Sequence, residues 1–295
     1  MDRLVYYHHP CADNFSLTFS SASAADVIER RREADGETKL VGYPFETPVY
    51  VLYEGTEASD SAGDIDFESD WLEERLSGRP RATQVTAFRL VELLEAAVEV
   101  REAEAFRLYK DFEPDQIHRA LENVSWGASL PVVAGELMSN LVLRHALPNA
   151  NHRTAIAMLQ FCIESADPSF EMPSTHVDDE NWKAWVDPYI VESKRLITVR
   201  RNNVRFEHLR DQGVGIVERK GGIRIELDDY ELDMHWREAL SRYAERHEEH
   251  CVSFAREIVE RADRTDPLDR TGPTETEFVE YLETGVVERD FTDLF

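Results

Sequence analysis

The feature that most constrains this chain is a pair of apolar helical runs separated by a corner too short to let them part. The first run opens at Pro131 and passes through Val132, Val133, Leu137, Leu141, Val142 and Leu143. The second carries Ile156, Leu159, Phe161, Cys162 and Ile163. Between them stands the stretch RHALPNANHRTA, from Arg144 to Ala155. Pro148 has no backbone N–H and cannot continue a helix, so the first helix is expected to stop just after His145 and the second to begin near Asn151. Two helices joined by so short a corner must pack against each other.

The chemistry of that corner follows from its geometry. A helix N-terminus presents unbonded N–H groups and the positive end of a dipole, so it favours an anion. Ala150 and the neighbouring asparagines can take the backbone angles that turn those N–H groups into an anion-binding nest. Arg153 in the first turn works against the dipole unless an anion is bound, and its guanidinium fork suits phosphate. His145 at the preceding helix end can take a proton from an attacking hydroxyl. Asn149 offers one neutral oxygen toward a divalent ion such as magnesium, which would bridge phosphate oxygens.

With His145, Ala150, Asn151, Arg153 and Thr154-Ala155 in this order, the stretch resembles the signature of the Fic/Doc family, His-x-Phe-x-(Asp/Glu)-(Gly/Ala)-Asn-(Gly/Lys)-Arg, set between two core helices. Family members transfer a nucleotidyl group, usually AMP from ATP, to a protein hydroxyl. The Doc branch, which the Thr154-Ala155 continuation resembles, phosphorylates its target and acts as a toxin restrained by an antitoxin. The resemblance implies His145 as the base, Ala150, Asn151, His152, Arg153 and Thr154 around the phosphates, and Asn149 in the place of the metal-binding acid. It implies ATP and Mg2+ as cofactors, and as partners a target protein with a Ser, Thr or Tyr hydroxyl and an antitoxin. Four positions depart from the pattern or follow Doc. Leu147 replaces Phe, Asn149 replaces the acid, and His152 stands where AMP-transferring members carry Gly and Doc carries Lys. Ile156 replaces the second arginine of the longer Fic motif, as in Doc. The alternative reading is a catalytically degenerate Fic/Doc-fold protein whose pocket serves binding or assembly.

Charge bounds the remaining function classes. The net charge of −26 opposes nucleic-acid binding, because affinity for a polyanion comes from Lys and Arg neutralising phosphates. Only five basic residues are lysine, namely Lys39, Lys110, Lys183, Lys194 and Lys220. Many surface carboxylates with so few lysines are an expected adaptation to a salt-rich, halophilic cytoplasm. No apolar run approaches the ~20 residues that span a bilayer, so the chain is expected to be soluble and cytoplasmic. Cys11, Cys162 and Cys251 form no metal or redox spacing.

The expected fold is mainly α. Residues 1–80 form a mixed α/β region with strands in "RLVYY", "FSLTF", "KLVGYPF" and "TPVYVLYEG", a helix over 24–34 and an acidic linker. Residues 81–205 form the Fic/Doc-like helical core. Residues 206–295 form a module with a hairpin around Lys220-Gly221-Gly222, a long charged helix from Tyr230 to Ala262, and a last helix capped by Thr274 and Glu277. Three further stretches read as structural. "YYHHPC" at Tyr6–Cys11 is a surface turn, "HEEHC" at His247–Cys251 is a solvated charged face, and Trp182 and Trp185 are packing residues. The basic run at Arg195, Arg200, Arg201 and Arg205 is expected to pair with the chain's own carboxylates.

Overall fold

The computed structural model describes residues 3–55, 69–100, 110–175, 184–262, 270–286 and 289–294. The acidic linker, Trp182 and Lys183 lie outside them. The chain divides into two units, each built from two segments: Met1–Ala58 with Lys194–Glu245, and Ser59–Ser193 with Arg246–Phe295. This differs from three consecutive regions. The first strand finds its partner near residue 216, so the N-terminal segment and the hairpin belong to one body.

The first unit holds two sheets. In one, β1 (Leu4–Tyr6) pairs in parallel with β6 (Ile216–Arg219), and β6 pairs antiparallel with β7 (Ile223–Glu226). The hairpin turn needs Gly221 and Gly222, at φ 74° and 70°, where a side chain would be strained. The other sheet runs in the order β2 (His8–His9), β3 (Ala12–Ser21), β5 (Val49–Gly55), β4 (Thr38–Tyr43), all antiparallel. The "HH" pair expected in a surface turn is therefore a short edge strand, paired to Ser16 and Ala12 across an irregular register. Helix α1 (Ala24–Glu33) is capped by the Ser23 hydroxyl. Strand residues Phe15, Leu17, Val51 and Tyr53 share a core with Val199, Phe206 and Leu209, from α7 (Asp187–Asp211). The Tyr53 hydroxyl lies 2.7 Å from the Tyr43 hydroxyl and donates to Tyr6 O at 2.7 Å, so the buried phenols are satisfied.

The second unit is helical: α2 (Ser69–Leu76), α3 (Arg81–Val100), α4 (Pro114–Leu121), α5 (Leu130–Arg144), α6 (Asn151–Ala166), α9 (Glu275–Thr284) and the second half of α8 (Trp236–Arg261). Helices α5 and α6 are buried nearly all round, as an apolar pair at the centre of a bundle must be. Gly135 lets α5 approach α8 closely, since a Cβ there would stand 2.5 Å from Val252 Cα. Thr274 and Glu277 form the capping box at the start of α9. Among the described residues no helix is long and apolar enough to cross a membrane.

Candidate functional site: the corner between α5 and α6

The α5–α6 corner is bracketed by backbone strain. His145 closes α5 at φ 54°, ψ 49°, and Ala150 opens α6 at φ 58°, ψ 11°. Among the described residues these are the only non-glycine residues with positive φ. Each such residue costs about 1–3 kcal/mol and persists only where its surroundings dictate it. Pro148 is buried between them, and Glu113 N–H donates to Ala146 O at 3.0 Å, which ties the corner to the start of α4.

Asn151 supplies much of that dictation. Its side chain is 6% exposed, and its Oδ1 accepts from Leu147 N–H at 3.1 Å. Its Nδ2 donates to Leu147 O at 2.9 Å and to Asn149 O at 3.3 Å. Asn149 Oδ1 accepts from Ala150 N–H at 2.6 Å. The Thr154 hydroxyl donates back to Ala150 O and Asn151 O, at 3.3 and 3.4 Å. The side chains of Asn149, Asn151 and Thr154 thus hold the shape of the corner, and what the corner can offer a ligand comes from elsewhere.

That offer is the start of α6. No side chain caps the helix at Ala150, and the first helical bond is Thr154 N–H to Ala150 O at 3.0 Å. The N–H groups of Asn151, His152 and Arg153 come before that bond and emerge from the helix end. His145 and Arg153 are half-buried beside it. For a magnesium ion the corner offers Asn149 Oδ1 alone, a neutral oxygen with a hydrogen bond of its own. Among the described residues no group of three or more His, Cys, Asp or Glu could hold a metal.

His152 leads inward to residues that sequence reasoning missed. Its Nε2 lies 2.9 Å from Ser193 Oγ, and Ser193 Oγ lies 2.7 Å from His247 Nε2. His247 Nδ1 lies 2.7 Å from Ser139 Oγ and 3.7 Å from Cys251 Sγ. A neutral imidazole has one N–H and one acceptor nitrogen, so one serine must donate to His247 and the other accept. His247 is fully buried and Cys251 nearly so, which corrects the expectation that "HEEHC" is a solvated face. Spacing of i, i+4 puts His247 and Cys251 on one side of α8. Their charged neighbours hid which side that was.

A family model matches residues 1–286, and the chain belongs to that family, DUF8172, a family of unknown function. Neither a curated protein nor a solved structure matches it.

Proposed function

We propose that this member of the DUF8172 family is a Fic/Doc-like transferase that moves a phosphoryl or nucleotidyl group from ATP to a protein hydroxyl. The observation that carries the reading is the pair of left-handed residues, His145 and Ala150, on either side of the corner. Strain concentrated at one place, in a unit whose other described non-glycine residues lack it, marks a shape kept for use.

In this reading the N–H groups of Asn151, His152 and Arg153, with the Arg153 guanidinium, neutralise the phosphates. His145 takes the proton of a Ser, Thr or Tyr hydroxyl on the target. The freed oxygen forms a bond to phosphorus, and the bond to ADP breaks, or to pyrophosphate when the α-phosphorus is attacked. Asn149, Asn151 and Thr154 act as positioning residues. Magnesium enters with the nucleotide, since the corner holds no carboxylate for it, and no step here depends on the protein binding it. An antitoxin that covers the corner is the expected regulator, in a toxin–antitoxin setting within a salt-adapted cytoplasm.

A second reading has its own support. Asn149 is neutral and its Oδ1 is already engaged by Ala150 N–H, which suits a degenerate member that binds a partner without catalysis. Incubation with γ- or α-labelled ATP, magnesium and cell extract at high salt separates the two. Label from γ alone means a kinase, and label from α means nucleotidyl transfer. Absence of label with both wild type and Asn149→Asp supports the binding protein. If His145→Ala transfers label as well as wild type, the base is not His145 and the mechanism fails.

A further inference from the structure

Within the basic run of α7, Arg201 and Arg205 do not pair with carboxylates of the described residues. Arg200, Arg201, Asn202, Asn203 and Arg205 line a cavity of about 400 Å³ in the first unit, together with Trp236 at the start of α8. Helical geometry fails at its centre, where Asn202 has φ −125° and ψ 19°. The Asn202 side chain fills the break by donating to Thr198 O at 2.9 Å and accepting from Arg205 Nη1 at 2.8 Å.

Two of the arginines here make hydrogen bonds to neutral backbone oxygens. Arg205 Nε donates to Thr18 O at 3.0 Å, and Arg200 Nε to Leu240 O at 2.9 Å. Among the described residues neither Arg201 nor Arg205 forms an ion pair. That is unexpected in a chain with 59 acidic residues against 33 basic ones, where a carboxylate is the commonest neighbour available. Arg219 on β6 adds to the imbalance. It lies near enough to Arg201 for the two positive charges to oppose each other, and its Nε is buried without a hydrogen-bond partner. Burial holds both guanidinium groups below their ordinary pKa.

Two more features mark the cavity. Asn203 is 3% exposed, and its Oδ1 is buried with no donor, while its Nδ2 donates to Glu231 O at 3.3 Å. Trp236 is 49% exposed, with the Arg237 guanidinium over its ring at 5.1 Å and His235 tilted against it at 5.6 Å. Positive charge without carboxylate partners calls for an anion, a buried acceptor calls for a donor, and an exposed indole offers a platform for a planar ring. The volume is that of a small-molecule site.

One ligand class meets all three needs. We infer that this cavity binds a mononucleotide. Its phosphate meets the arginines of α7, its base lies against Trp236, and an N–H or O–H of the ligand reaches Asn203 Oδ1. The inference is independent of the corner reading, because every residue it uses lies in the other unit. A free nucleotide rather than a strand end is the ligand, since the net charge opposes a polymer.

Isothermal titration of the full chain with AMP tests this. Wild type is expected to bind one AMP, and Arg201→Gln to bind it roughly 10- to 100-fold more weakly, the loss of a charge-assisted hydrogen bond. Trp236→Ala is expected to weaken AMP about tenfold or more while leaving inorganic phosphate binding unchanged. Both side chains reach the surface, so circular dichroism should report folded variants. The inference is overturned by absence of heat at millimolar AMP, or by wild-type affinity in both Arg201→Gln and Trp236→Ala. It is equally overturned if a short oligonucleotide binds more tightly than AMP.

Discussion

Ser139 on α5 and His247 on α8 are joined by a 2.7 Å hydrogen bond at a point where neither residue meets solvent. Gly135, one turn earlier on α5, makes that contact possible by letting the two helices close up. From His247 the polar chain continues through Ser193 to His152, in the first turn of α6. The proposed nucleotide corner is thereby anchored by side chains far away in sequence.

Removing the middle of that chain should be costly. Ser193→Ala strips a partner from a buried imidazole nitrogen, so stability is expected to fall by about 1–3 kcal/mol. Urea unfolding should show a lower midpoint with an unchanged slope. An unchanged midpoint would mean that His247 does not depend on Ser193.

The strain at the corner makes an opposite prediction. Glycine adopts the backbone angles of Ala150 without steric cost, so Ala150→Gly is expected to raise stability by about 0.5–1 kcal/mol. A loss of stability on this change would show that the methyl group contributes packing that outweighs the strain. The same variant in the labelling assay asks whether the corner must be held by the methyl group or only by its backbone angles.

The three cysteines should differ sharply in reactivity. Cys11 is exposed, whereas burial pushes the Cys162 and Cys251 thiols far above their ordinary pKa. A thiol reagent is expected to modify one cysteine in the native protein and three after unfolding. Rapid native labelling of Cys251 would show that the packing around His247 opens readily.

Acid should loosen the start of α9 before the rest of that helix. The Thr274 backbone N–H, at 2.8 Å, and then its hydroxyl hold the Glu277 carboxyl below its ordinary value of 4.5. A lowered carboxyl pKa stabilises the fold fully above the unfolded value, and the contribution is lost as pH falls through the lower, folded value. Amide exchange at Thr274–Glu277 is expected to quicken over that range. Glu277→Gln should flatten the response, and a response that survives it would place the acid-sensitive group elsewhere.

Much of the fold was legible because strong local signals set it. Pro131 and Pro148 fixed the limits of α5, and the capping pair Thr274 and Glu277 marked α9. Unusual backbone angles are expected at Ala150 and the asparagines; the structure has them at Ala150 and His145, and the role of Asn151 was not legible. A side chain drawn for phosphate instead binds the corner's own backbone, a choice that no spacing reveals. His247 was misjudged because the residues around it are charged, and periodicity in a helix of mostly polar residues says little about which face is inward. The fate of the α7 arginines depends on partners outside their own helix, Leu240 for Arg200 and Thr18 for Arg205.

The parallel pairing of β1 with β6 also sets a timetable. Residues 4–6 leave the ribosome well before their partner at residues 216–219, which follows more than 200 residues later. At roughly 5–20 residues per second that is a wait on the order of 10–40 s, longer than most folding steps. During it strands β2 to β5 can pair with one another, while β1 stays unpaired and the helical unit still lacks its segment from residue 246 onward. Newly made chains should therefore need protection at their N-terminal strands until the hairpin arrives to close the sheet.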